Sequence, residues 1–99
     1  MLENKTYPKR YHLKINGKRT TVSIERTLNG LACTYFGQNP HEESAHSFLR
    51  EKIQKEVDKN STHYEGNISQ GISLWLILTI CERETMKKWI EYNRQERES

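Results

Sequence analysis

The chain has 99 residues, enough for one small domain or a domain with a tail and too few for two. Hydrophobic residues make up 33% and charged residues 29%, and the mean hydropathy is -0.96, so the core is thin and burial against a partner is expected. The net charge of +3 is uneven: residues 1–21 hold six cations against Glu3, a net +5, whereas the other 78 residues hold ten cations against twelve anions, a net −2, which places any attraction for a polyanion at the N-terminal end.

Residues 1–10 read as a basic arm. Tyr11–Ile15 and Lys18–Ile24 then alternate around Asn16-Gly17, the dipeptide suited to the positive φ angles of a tight hairpin turn. A two-residue loop sets Ile15 opposite Lys18, Leu13 opposite Thr20 and Tyr11 opposite Val22. One face then gathers Tyr11, Leu13, Ile15, Thr20, Val22 and Ile24 for a core. The other gathers His12, Lys14, Arg19, Thr21 and Ser23 and is polar and basic.

Thr27 is positioned to cap a short helix with Leu28, Leu31, Ala32, Tyr35 and Phe36 as its apolar stripe, ending at Gly37. Asn39 as cap, Pro40 at the first position and Glu42 and Glu43 in the first turn announce a second helix, whose stripe is Ala45, Phe48, Leu49, Ile53 and Val57 and whose end falls near Asn60. Residues 60–66 are a loop by composition. From Asn67 or Ser69 a third helix is expected to run to about residue 94. Its first half, with Ile72, Leu74, Trp75, Leu76, Ile77, Leu78, Ile80 and Cys81, is apolar around the whole circumference and demands burial on every side, for which a second copy of the chain is the natural source.

Arg19-Thr20-Thr21-Val22-Ser23-Ile24-Glu25, followed after a helix-bearing middle by Gly66-Asn67-Ile68-Ser69 and Ile72, resembles the ribbon-helix-helix DNA-binding proteins. The likeness is to a bacterial subgroup with an R-T-S/T-V-S-L/I-E strand and a later G-N-L-S-S-A helix opening, and it covers roughly residues 13–80. The resemblance implies a homodimer in which the strand pairs antiparallel with its twofold mate and enters the major groove of double-stranded DNA. Arg19, Thr21 and Ser23 would then read bases, Lys14, Lys18, Asn67, Ser69 and Gln70 would meet phosphates, and Val22, Ile24, Ile72, Trp75 and Leu76 would form the dimer core. The chemistry suits those roles, since arginine bonds a guanine edge bidentately and short hydroxyls donate or accept without holding the strand away. Ordinary strands also favour threonine and serine beside valine and isoleucine, and Asn67 serves equally well as a helix cap. The chain departs from the subgroup at Ser73, where arginine is usual, at Gly71, and in a long helix inserted over about residues 40–59.

Other chemistry is not suggested. His41 and His46 are five residues apart, which puts the two rings far apart around a helix and misses the HExxH spacing. Cys33 and Cys81 stand outside any metal or redox motif, and no phosphate loop occurs. The sequence therefore predicts no enzyme, metal or cofactor. The longest apolar stretch, Ile72–Cys81, falls short of the roughly 18 residues a membrane span needs. Isolated cysteines without an apolar leader predict reduced thiols and a cytoplasmic location.

The fold expected is α+β and mainly helical, a ribbon-helix-helix dimer with an N-terminal strand or hairpin, an inserted middle helix and a long C-terminal helix. Residues 1–10 are the arm, 11–81 the DNA-binding domain and 82–99 an amphipathic extension. The function expected is a sequence-specific transcriptional regulator, a repressor. The alternative is an antitoxin-like or inhibitor module gripping a protein partner through residues 82–99, although the spacing of Met86, Trp89 and Ile90 favours docking within the molecule.

Overall fold

Asn16 and Gly17 both adopt positive φ, 53° and 78°. They join β1 (Lys9–Ile15) to β2 (Lys18–Ile24) in an antiparallel hairpin with the register the alternation predicts: Ile15 faces Lys18, Leu13 faces Thr20 and Tyr11 faces Val22. The computed structural model describes residues 7–64 and 66–98; in the last helix the side chains of Met86, Trp89, Asn93 and residues 95–98 are outside the description. The first six residues of the basic arm and the anchors at Met86 and Trp89 thus lie outside it. Lys9 and Arg10, read as arm, belong to β1.

The architecture is α+β and mainly helical: the N-terminal hairpin is followed by four helices, of which the first three build the core with one face of the two-stranded sheet. Helix α1 (Arg26–Tyr35) is capped by Glu25, not Thr27, because the Glu25 carboxylate reaches both the Thr27 and Leu28 N–H groups. It closes at Gly37, with Gly37 N–H bonded to Thr34 C=O and Gln38 N–H to Cys33 C=O, the paired bonds of a Schellman motif. Its core stripe also differs from the sequence reading. Asn29, Ala32 and Cys33 are buried while Leu31 and Tyr35 are exposed, a rotation made possible by Tyr11, whose hydroxyl donates to Asn29 Oδ1 inside the core.

Helix α2 (Glu43–Lys59) begins later than Asn39-Pro40 suggests. Those residues form a turn instead, in which Asn39 Oδ1 accepts from His41 N–H and Asn39 C=O from Glu42 N–H, both at 3.0 Å. Ala45, Leu49, Ile53 and Val57 are buried, as their spacing requires, and Phe48 is half-buried. The segment after α2 contains a 3₁₀ turn (Ser61–Tyr64) that buries Tyr64. A Cβ on Gly71 would stand 3.1 Å from the Tyr64 ring, which accounts for glycine there.

The single long helix expected from Asn67 is instead two, α3 (Ile68–Ile80) and α4 (Arg83–Glu98). Cys81 is extended, with φ −64° and ψ 141°, and acidic Glu82 and Glu84 flank the start of α4 where the helix dipole favours negative charge. All-round burial of α3 is not achieved within one chain. Ile72 and Leu76 are buried against the hairpin and α1, but Leu74 and Ile77 are 44% and 48% exposed and Leu78 is also exposed. Among the described residues helix α4 packs closely on no other element and Ile90 and Tyr92 are exposed, while the docking expected of Met86 and Trp89 falls on side chains outside the description. The radius of gyration, 14.8 Å, accordingly exceeds the roughly 13 Å of a compact chain of this length. Among the described residues no helix is long and apolar enough to cross a membrane.

Candidate nucleic-acid interface

Because side chains alternate along a strand, burying Tyr11, Leu13, Ile15, Val22 and Ile24 turns the other set outward. The outer face pairs Arg10 with Ser23, His12 with Thr21 and Lys14 with Arg19 across the hairpin. Neither strand contains an acidic residue. Lys14 and Arg19 stand directly opposite one another, an arrangement that like charges disfavour unless an anion lies over them. Among the described residues none of the hairpin cations reaches a carboxylate within ion-pair distance. Arg10, His12, Lys14, Arg19 and Thr21 are exposed and Ser23 is partly buried, so the helices leave this face open. His12 Nδ1 lies 3.1 Å from Thr21 Oγ1.

Each edge of the hairpin is tied to a helix at one residue. In a two-residue hairpin the backbone groups of residues 10, 12 and 14 point to one free edge and those of 19, 21 and 23 to the other. On the β1 edge the backbone of Lys14 is tied to α2: Lys14 N–H donates to Gln54 Oε1 at 3.0 Å, and Gln54 Nε2 donates back to Lys14 C=O at 2.8 Å. On the β2 edge, Ser23 N–H donates to Ser69 Oγ at 3.0 Å, which ties the first turn of α3 to the end of the strand. Beyond that bond, Arg19 and Thr21 N–H have no partner among the described residues. The Arg10 and His12 N–H groups on the β1 edge likewise have no partner among the described residues, so each edge keeps a stretch able to pair.

At the start of α3, Asn67 caps the helix, its Oδ1 accepting from Gln70 N–H at 3.1 Å. Asn67 and Gln70 are exposed, and Ser69 is held by Ser23 at the end of β2. Lys18 is exposed beside the turn. Of the residues expected in a dimer core, Val22, Ile24, Ile72 and Leu76 are fully buried in the core of the single chain, and Trp75 packs partly against it. The surface still available to a partner is instead the outer stripe of α3, Leu74, Ile77 and Leu78, on the helix that packs on β2.

The remaining reactive groups are placed otherwise. Burial pushes the Cys33 thiol pKa up, with Lys9 opposing, which keeps it neutral and a poor nucleophile. His46 stacks on Tyr11, the ring centroids 4.4 Å apart. Reading the sequence strand by strand placed Arg10 outside the interface and gave no sign of the Gln54 clamp, since a glutamine on the wet side of a helix has no motif. Among known families, curated proteins and solved structures, no match to this chain was found.

Proposed function

We propose that this protein is a sequence-specific DNA-binding transcriptional regulator, a repressor, that works as a homodimer through the outer face of its hairpin. Two copies join at the open edges of their β2 strands, antiparallel about a twofold axis. This carries Arg19, Thr21 and Ser23 of both chains to base edges in the major groove. The observation that carries the reading is the acid-free outer face of the hairpin, on which Arg10, His12 and Lys14 of β1 stand across from Ser23, Thr21 and Arg19 of β2, with the cations exposed. Ser69 ties the first turn of α3 to the end of β2, and further along the same helix Leu74, Ile77 and Leu78 offer an apolar surface to the second copy.

Selection of duplexes from a random pool gives the preferred site, and competition against a scrambled duplex measures specificity. Arg19→Ala is expected to lose about 1–3 kcal/mol on the selected site and much less on the scrambled one. Equal affinity of variant and parent for the selected site removes Arg19 from the reading face, and no binding to any duplex at low salt overturns the function.

The uncommitted α4, with Ile90 and Tyr92 exposed, favours a second reading in which residues 82–99 grip a protein partner. Truncation after Cys81 separates the two: DNA binding survives under the first reading, whereas a co-purifying partner is lost under the second.

A further inference from the structure

We propose that β1 is the phosphate-contacting strand of the DNA interface, with Arg10, His12 and Lys14 on the groove walls while β2 alone reaches the bases. The inference rests on the dimeric reading above and assigns roles to residues outside the strand that carries the family resemblance. Pairing two hairpins edge to edge through β2 gives a four-stranded sheet in the order β1, β2, partner β2, partner β1. Neighbouring strands lie about 4.8 Å apart, so each β2 runs about 2.4 Å from the twofold axis and each β1 about 7 Å from it. The major groove is about 12 Å wide, which leaves about 6 Å on either side of that axis. Both β2 strands fit between the walls. Both β1 strands fall at or beyond them, against the sugar-phosphate backbone.

The side chains are sorted in the way this geometry requires. On the outward face β1 carries three residues that are cationic or can donate through a ring nitrogen, Arg10, His12 and Lys14, and no hydroxyl. On the same face β2 carries Thr21 and Ser23, short groups that donate or accept, with one arginine. Long cations suit a polyanionic wall whose position matters more than its sequence, and short hydroxyls with an arginine suit base edges at close approach. His12 is held against Thr21 through Nδ1, so its other nitrogen, Nε2, is the one that faces outward, as a donor in the tautomer whose Nδ1 accepts from the Thr21 hydroxyl. The Lys14 backbone clamp by Gln54 fixes the strand from the opposite side and leaves the lysine side chain free for contact.

The experiment uses the full chain and its selected duplex, with affinity measured across a series of salt concentrations and the duplex selection repeated for each variant. Arg10→Ala and Lys14→Ala are expected each to weaken binding to selected and scrambled duplexes by the same factor. Each should also lower the magnitude of the slope of log affinity against log salt by about one, while the selected sequence stays that of the parent. Arg19→Ala, the control, is expected to change the selected sequence. A changed sequence for Arg10→Ala or Lys14→Ala overturns the proposal, since β1 would then be reading bases, and so does an unchanged salt slope in both. Failure of the parent itself to bind any duplex is a different result, which removes the function rather than the division of labour between the strands. Both variants alter exposed side chains, and unchanged thermal unfolding establishes that each is folded.

Discussion

Tyr11 and Asn29 form a polar contact deep in the core, between residues eighteen apart in the chain. The tyrosine is fully buried and the asparagine is 4% exposed, and burial holds the phenol pKa well above its usual value, so the hydroxyl stays a donor at any accessible pH. Tyr11→Phe leaves the Asn29 carbonyl without that donor and is expected to cost about 1–3 kcal/mol in urea unfolding, a loss that Tyr11→Phe with Asn29→Leu should largely recover. His46 stacks on the same ring and has its pKa lowered below 6.5, first by burial, then by the nearby Lys9, Arg50 and His12, with Glu43 opposing. The folded state thus takes up this proton later than the unfolded one. The contribution of neutral His46 to stability is complete above about pH 6.5 and is lost as the pH falls through its lowered pKa. His46→Phe keeps the stack and removes the proton, so its stability should fall less than the parent's between neutral and mildly acid pH, and parallel curves would exclude the histidine as the cause.

Among the elements, those set by short-range chemistry were legible before any coordinates. Asn16-Gly17 fixes the turn, the turn fixes the register, and alternation then assigns each face of the hairpin. The α2 stripe and the Asn67 cap follow equally from local spacing. The α1 stripe was misplaced because hydrophobicity ranks Leu31 and Tyr35 above Asn29, and only the long-range Tyr11 bond makes an asparagine acceptable inside. The break at Cys81 has neither glycine nor proline to mark it. In the candidate site, Thr21 and Arg19 were legible from alternation, while the ties that hold the edges depend on Gln54, forty residues from Lys14, and on Ser69, forty-six from Ser23. Gln54→Ala is expected to cost about 1–2 kcal/mol, because two hydrogen bonds to an edge strand are lost on a surface where water partly replaces them. Hydrogen exchange at the Lys14 amide should quicken in that variant, and an unaltered rate would mean the clamp does not hold the strand.

At the scale of the whole molecule the question is what joins two copies, and magnitudes decide it. Covering what remains exposed of Leu74, Ile77 and Leu78 on both subunits is worth on the order of 5 kcal/mol, from about 1 kcal/mol for each half-exposed aliphatic side chain. Association costs about 4–15 kcal/mol in lost translational and rotational freedom, so this stripe alone does not hold a dimer. In the proposed dimer, pairing along the β2 edge would supply further contacts and DNA across both hairpins would add its own, so that dimer is expected to be weak in free solution and strong on DNA. Leu74→Glu with Ile77→Glu places two charges on residues already half in water, so a single folded chain should lose little stability while association is blocked by desolvation and like charge. Sedimentation should then find the parent shifting from monomer to dimer with concentration and the double variant remaining monomeric with an unchanged circular dichroism spectrum. On the selected duplex the variant should bind far more weakly and without cooperativity. A parent that stays monomeric at the highest concentrations and binds its duplex as one chain would place the reading surface on a single hairpin.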